Sequence, residues 1–356
     1  MIVDDSVVIR GLVTRWLNEA PGIIVVSSQR NGVGALRDLE ASRPDVVVLD
    51  VEMPEMDGIE ALPKLLEQRP DLSVIMASSL TKRNAEISLR ALQLGAKDYV
   101  PKPDGVHSNL GAQDFQRELI DKVHLYGPKP EPLPQNVRAY APPPGAIKAG
   151  GTKDFTLRSF SRARPKVLAI GSSTGGPQAL YSLFEIINGA LDEVPVLVTQ
   201  HMPPNFTAIL ATHIAKQTGR PAHEGEHGEP LRPGNLYIAP GATHMQIDKK
   251  GGQPSIVITD GAPVNFCKPA VDPLFDSVAA VYGPAALAVV LTGMGRDGAD
   301  GAVRIADAGG SVIAQDEESS VVWGMPGATA HAGACAAVLG LDELGEQIVR
   351  LLKGRS

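Results

Sequence analysis

The sequence predicts two α/β domains, each a parallel sheet covered by helices, joined by an extended segment. Short, nearly continuously apolar runs alternate with amphipathic stretches from the first residue to about 126, and again from Lys166. Strands buried on both faces read this way when helices cross between them. The chain has 356 residues, enough for about two domains at roughly 150 residues each. Between the alternating regions proline concentrates, at Pro128, Pro130, Pro132 and Pro134 and again at Pro142, Pro143 and Pro144, followed by Gly145, Gly150 and Gly151. That spacing supports neither helix nor sheet and favours extended, solvated polyproline II. The expected units are residues 1–126, a linker over 127–164, and 165–356.

In the first unit the expected order is strand MIV, helix 6–20, strand IIVVSS, helix 32–43, strand DVVVLD, helix 58–69, strand SVIMASS, helix 84–95, strand DYVPK and helix 112–126. Ile9, Leu12, Val13, Trp16 and Leu17 fall at i, i+3, i+4, i+7 and i+8, one face of the first helix. The result is a five-stranded parallel sheet. In the second unit the strands are KVLAIG, VPVLVTQH, GNLYIAP, HMQID, SIVITD, ALAVVLTG and SVIAQD, with helices near 177–188, 205–218, 270–282, 298–308 and 342–353. The close strands over 234–260 suggest an antiparallel hairpin inserted in a doubly wound sheet.

Composition narrows the function. With 43% hydrophobic and 21% charged residues the chain reads as folded protein rather than a disordered or fibrous one. No run approaches the roughly 18 apolar residues of a membrane helix, and the start MIVDDSV lacks the basic flank and apolar core of an export signal. A cytoplasmic location without membrane insertion is expected. Residues 1–126 hold 14 basic against 19 acidic side chains, 127–164 hold 7 against 2, and 165–356 hold 12 against 19. Neither folded unit has the basic surplus that nucleic acid requires. Two cysteines, Cys267 and Cys335, are too few for a disulfide scaffold or a cysteine metal cluster, and both are expected as buried thiols.

Ligands of parallel α/β sheets gather at the carboxyl ends of the strands. In the first unit those ends carry Asp4 and Asp5, Asp50, Ser78 and Lys102. Carboxylates crowded into one pocket repel and call for a cation, and hard oxygen ligands suit Mg²⁺. A lysine and a hydroxyl beside them can hold a transferred phosphoryl group. The motifs VDDS, VVVLDVEMPEMDG, MASS and YVPKP resemble the phospho-acceptor pattern of two-component receiver domains, which have a flavodoxin-like fold. The resemblance implies phosphorylation at Asp50, Mg²⁺ held by Asp4, Asp5, Asp50 and the Glu52 backbone carbonyl, and a switch formed by Ser78, Tyr99 and Lys102. One departure is that only MIV precedes Asp4, where receivers have a longer first strand; a native start upstream of Met1 is one expectation that follows.

In the second unit the first strand runs into Gly171-Ser172-Ser173-Thr174-Gly175-Gly176-Pro177. Gly171-x-Ser173-x-Gly175 has the form of a nucleophile elbow, a tight strand-to-helix turn that exposes a serine hydroxyl. The alternative is a glycine-rich loop that caps a helix or cradles phosphate, although the spacing matches neither a P-loop nor G-x-G-x-x-G. Ser172 competes with Ser173, and the register favours the latter. His201 ends VPVLVTQ and is the candidate base. Asp297, in LTGMGRDGADG, is either its orienting carboxylate or a helix N-cap. Gly293 and Gly295 let backbone amides approach a reacting carbonyl oxygen. His223-Glu224-Gly225-Glu226-His227 matches a zinc motif that needs a helix, which the surrounding Gly225, Gly228, Pro221 and Pro230 deny.

GSSTGG, TQHMP, LTGMGRDG and QDEESSVVWGMP, in this order behind a receiver and a linker, resemble the chemotaxis protein-glutamate methylesterase family, CheB. The resemblance implies an α/β serine hydrolase domain with Ser173 as nucleophile, His201 as general base, Asp297 as its orienting partner and the Met294 backbone N–H as oxyanion donor. It further implies hydrolysis of glutamate γ-methyl esters on chemoreceptors, deamidation of receptor glutamines in some members, a CheA-type histidine kinase as phosphodonor and no cofactor for the ester reaction. The unphosphorylated receiver is expected to cover the site. A nucleotide-binding output domain and an inert receiver are the competing readings.

Overall fold

The computed structural model describes residues 1–102, 109–128 and 155–354. The prolines at 130–144 and the glycines at 145–151 lie outside the described residues. The first domain comprises β1 (Ile2–Val3), α1 (Val7–Glu19), β2 (Ser28–Gln29), α2 (Gly32–Ser42), β3 (Val46–Asp50), α3 (Gly58–Gln68), β4 (Ser73–Ser79), α4 (Lys82–Gln93), β5 (Asp98–Lys102) and α5 (Asn109–Tyr126). Polar residues start its helices: Ser6, Asn31, Asp57 and Thr81 each accept the backbone N–H three residues on, which satisfies one of the donors a helix start leaves free. All five strands are parallel in the order β2-β1-β3-β4-β5, the flavodoxin-like order.

One element falls short of its sequence signal. IIVVSS predicts a strand over 23–28, yet β2 is Ser28–Gln29, and Ile24 is 81% exposed. The register explains it. Ser28 and Gln29 pair with Ile2 and Val3, the two residues of β1, and the apolar residues upstream have no strand beside them.

The second domain comprises β6 (Val167–Ser172), α6 (Gly176–Ile187), β7 (Val196–Gln200), α7 (Phe206–Thr218), β8 (Ala222–Glu224), β9 (Leu236–Ile238), β10 (His244–Asp248), β11 (Ser255–Thr259), α8 (Val271–Tyr282), β12 (Ala286–Val290), α9 (Ala299–Asp307), β13 (Ser311–Gln315), α10 (Met325–His331), β14 (Ala337–Leu339) and α11 (Leu341–Lys353). Seven parallel strands run β14-β13-β12-β6-β7-β9-β8, and β10 and β11 form a separate antiparallel pair. The hairpin is therefore narrower than the 234–260 expectation, because the GNLYIAP strand joins the parallel sheet. From β6 the chain winds outward through β7, then returns to lay β12 on the other side of β6. The crevice at that reversal is where open α/β sheets bind ligands.

Three short elements were not anticipated: β8 and β14 at the sheet edges, and α10. Each is too brief for periodicity to register. The tail of the segment read as linker also has a defined place. Arg158 N donates to Cys335 O at 2.8 Å, Ser161 N to Ser311 Oγ at 2.9 Å, and Arg164 Nε to Leu352 O at 2.9 Å. Among the described residues the packed surface of the second domain thus extends upstream of residue 165 as far as Phe155, whose ring meets Trp323 and His331.

The two domains meet through β5 and α4 on one side and α6 and α7 on the other. Tyr99 stacks on Phe206 with ring centroids 4.7 Å apart and planes at 12°. Asn205, just before α7, donates its side-chain amide to Leu80 O at 2.9 Å. Among the described residues no helix is long and apolar enough to cross a membrane.

Candidate active site and phospho-acceptor pocket

Ser173 and His201 each stand one residue beyond a strand, β6 and β7. Since Ser172 and Gln200 are register partners, Ser173 and His201 are the next pair outward, on strands about 4.8 Å apart. Gln200 fixes the serine turn: it accepts from Ser172 Oγ at 2.7 Å and donates to Ser173 O at 2.9 Å. Ser172 is fully buried with its hydroxyl spent on that contact, whereas Ser173 is half-buried. Ser173 N donates to Thr292 O at 3.0 Å, tying the turn to the end of β12. The left-handed residue of the turn is Gly175, with φ +75°, and not the serine. Gly293 is glycine for closeness, because a Cβ there would lie 2.8 Å from Ser173 Cβ.

Asp297 meets His201. Its Oδ2 accepts from His201 Nε2 at 2.8 Å and from Val271 N at 2.5 Å; its Oδ1 accepts from Asp272 N and Asn265 Nδ2, both at 3.2 Å. Val271 and Asp272 open α8, so the carboxylate rests on the unpaired N–H groups and positive end of that helix. Burial works to raise the Asp297 pKa, but the His201 bond and charge and these amides bring it below the usual carboxylate value. Neighbouring Asp272, buried beside that carboxylate, is pushed up to about 6 despite a bond from Gly301 N. Burial alone would lower His201; its bonds to Asp297 and to Cys267 outweigh that and raise it to about 9.

With Nε2 committed to Asp297, Nδ1 is the nitrogen left for a serine proton. Among the described residues no hydrogen bond joins Ser173 Oγ to His201, and the Cys267 thiol donates to Asn265 O at 3.5 Å. Catalytic bonds are often loose without substrate. The Met294 N–H donates to none of the described groups, while its neighbour Gly293 abuts the serine.

Cys335 is buried as expected, but Cys267 is half-exposed beside His201, contrary to the expectation for both thiols. Gln200, Asn265 and Asp272 all touch the site without having been singled out by sequence, and Cys267 was expected only as a buried thiol. Only Gln200, preceding His201 at a strand end, carried a positional hint. His223 and His227 point to different partners, Glu229 Oε1 at 2.8 Å and Ile258 N at 3.3 Å, and His223 lies on β8, where no shared helical face exists.

In the first domain Asp4, Asp5 and Asp50 each bring a carboxylate oxygen within 4.8 Å of the others, a hard-oxygen set that fits Mg²⁺. Lys102 Nζ bridges two of them, 2.6 Å from Asp4 Oδ2 and 2.7 Å from Asp50 Oδ1. Burial raises the Asp50 pKa to about 6, with Lys102 opposing and Asp4 adding to the rise. Glu52 lines an open cleft beside Asp5. Ser78 is buried and accepts from Ser88 Oγ at 2.7 Å. Tyr99 is buried at the domain contact described above.

An acidic pocket at the head of a 2-1-3-4-5 sheet, followed by a seven-stranded enzyme-like sheet, defines a response regulator with an α/β output domain. Residues 1–108 match the response regulator receiver domain model, residues 168–348 match the CheB methylesterase model, and the chain belongs to the CheB methylesterase family. A protein-glutamate methylesterase/protein-glutamine glutaminase of group 2 operon from Rhodopseudomonas palustris strain CGA009 is 54% identical over 373 residues, covering 99% of this chain and 94% of its own. A protein-glutamate methylesterase/protein-glutamine glutaminase from strain HaA2 is 53% identical over 364 residues with the same coverage. The crystal structure of the Thermotoga maritima CheB methylesterase catalytic domain, 38% identical, covers 53% of this chain and 100% of its own with a TM-score of 0.50.

Proposed function

We propose that this chain is a cytoplasmic, phosphorylation-activated hydrolase that cleaves glutamate γ-methyl esters on chemoreceptors and deamidates receptor glutamines. The observation that carries the reading is the 2.8 Å bond between His201 Nε2 and Asp297 Oδ2, set beside Ser173 at the reversal point of the sheet. The serine oxygen attacks the ester carbonyl as its proton passes to His201 Nδ1, and Asp297 stabilises the imidazolium. The Met294 N–H is the donor this reading assigns to the carbonyl oxygen as it becomes an oxyanion. His201 returns the proton to the departing methoxide, methanol leaves, and water then hydrolyses the acyl-serine to glutamate. A glutamine amide follows the same path with ammonia as the leaving group.

The receiver supplies control. Asp50 is the acceptor for a phosphoryl group from a CheA-type histidine kinase, and Asp4, Asp5, Asp50 and the Glu52 carbonyl are the groups to hold Mg²⁺. When bound, that ion supplies positive charge against the carboxylates and the phosphoryl oxygens. Lys102, which joins Asp4 to Asp50, is the cation able to turn to a phosphoryl oxygen, and the Ser78 hydroxyl, which accepts from Ser88 and keeps its own proton, is the donor to follow it. Tyr99 carries the change to Phe206, and the docked arrangement yields to one that admits a receptor. The deciding experiment is methanol release from methyl-labelled receptor membranes. Wild type should be active and stimulated by a small phosphodonor, Asp50→Ala active but unstimulated, and Ser173→Ala inactive; an active Ser173→Ala would refute the reading.

A further inference from the structure

Val264 and Cys267 are joined by two backbone bonds, Val264 N to Cys267 O at 3.1 Å and Cys267 N to Val264 O at 2.9 Å, which close a two-residue hairpin loop of Asn265 and Phe266. Both loop residues have positive φ, 50° and 64°. A tight turn of this hand favours glycine after asparagine. A phenylalanine there carries strain that glycine would not. Nor does its ring gain burial in return: Phe266 is 92% exposed, more than any other large apolar side chain among the described residues.

The loop is nevertheless fixed on a reactive group: Asn265 donates to Asp297 Oδ1 at 3.2 Å, the carboxylate whose other oxygen holds His201. On the serine side Met294 and Val321 are 39% and 42% exposed. Met294 follows Gly293, which abuts Ser173, and Val321 abuts Gly175. Single apolar residues on a surface need no explanation, but three around one reactive site do. Whatever covers this rim has to arrive with the group being hydrolysed and leave with the product. A permanently bound second copy of the chain would seal the serine.

Resting on the esterase reading, we propose that Phe266 is a specificity-determining residue whose ring packs, with Met294 and Val321, on apolar side chains of the receptor segment that carries the esterified glutamate. An apolar rim also favours the uncharged ester over the anionic product.

The test compares Phe266→Gly, which suits the backbone, with wild type on methylated receptor membranes and on a small soluble aryl acetate that cannot span to the ring. The expected result is a receptor KM raised ~10-fold or more, as when an interface aromatic is removed, with kcat retained, so that the preference for receptor over aryl acetate falls by the same factor. Phe266→Leu should recover part of it. An unchanged receptor KM, or an equal loss on both substrates, would overturn the proposal, as would a fall in molecular mass by light scattering with receptor KM unaltered, which would make the ring a contact between copies. Wild type that releases no methanol would sink the esterase reading, whereas active wild type with an indifferent Phe266→Gly would sink this inference alone.

Discussion

Tyr99 of the first domain lies flat against Phe206 of the second, the two ring planes only 12° apart. Phe206 begins α7, which follows the loop leaving His201, so the contact sits a few residues from the base. An offset ring pair is worth about 1 kcal/mol beyond the area it buries. Phe206→Leu keeps an apolar side chain but loses the stack, and the docked arrangement should weaken by roughly fivefold in population. Methanol release without phosphodonor should rise by that order, and the stimulation ratio should fall. An unchanged basal rate would remove the stack from the control mechanism.

In the proposed mechanism His201 is held in a state it must leave before it can act as a base. His201 is raised to about 9 by Asp297 and Cys267 against the effect of burial, so below that pH the imidazolium predominates. Only neutral imidazole can accept the serine proton, and hydrolysis should therefore climb with pH towards about 9. Removing one of the raising contacts, as in Cys267→Ala, should move that limb to lower pH. Stability has the opposite sign: a raised histidine stabilises the fold fully below its ordinary pKa near 6.5 and loses this contribution as pH rises through the folded value. The thermal midpoint should drop over that window in wild type and less in Cys267→Ala.

Asn265 holds two carboxylates with one amide, donating to Asp272 Oδ2 at 2.9 Å and to Asp297 Oδ1 at 3.2 Å. Asn265→Ala leaves the pair facing each other without that bridge, at a cost of about 1 kcal/mol for a hydrogen bond and more for the repulsion it leaves. Turnover should fall ~10-fold or further, with the pH limb displaced because Asp297 no longer orients the imidazole well. An unaltered pH profile would assign Asn265 to loop structure alone.

Lys102 competes with any cation for Asp4 and Asp50. Replacing it by methionine should raise Mg²⁺ affinity ~10-fold at low ionic strength, since a neighbouring charge in a partly buried site contributes on the order of 1–2 kcal/mol. Calorimetric titration reads this directly. The same variant should lose stimulation by phosphodonor, because the cation that answers the phosphoryl group is gone.

Much of this was legible because it lies at the ends of apolar strands. Asp4, Asp50 and Lys102 in one sheet, and Ser173 and His201 in the other, follow runs whose burial is written in their composition, and the parallel architecture brings those ends together. Asp297 sits beyond Thr292 in a glycine-rich turn, where a helix cap was an equal reading; the helix it serves is α8, not its own α9. Asn265 and Cys267 were illegible for a different reason. They belong to a tight turn built on Asn-Phe, where the usual signal is Asn-Gly, and nothing local marks such a loop as adjacent to Asp297, some 30 positions further on. The edge strands β8 and β14 carry too few residues for alternation to show.

The peptide from His201 to Asn205 is mechanically stiff. It runs through Pro203 and Pro204, whose rings fix the backbone, and it is wedged against Gly241, where a Cβ would collide with Pro203 and Pro204. At its far end Asn205 grips Leu80 of the receiver. A stiff strut thus has the imidazole at one tip and the regulatory domain at the other. Undocking would then change the aim of His201, and a phosphodonor should quicken even the hydrolysis of small soluble esters.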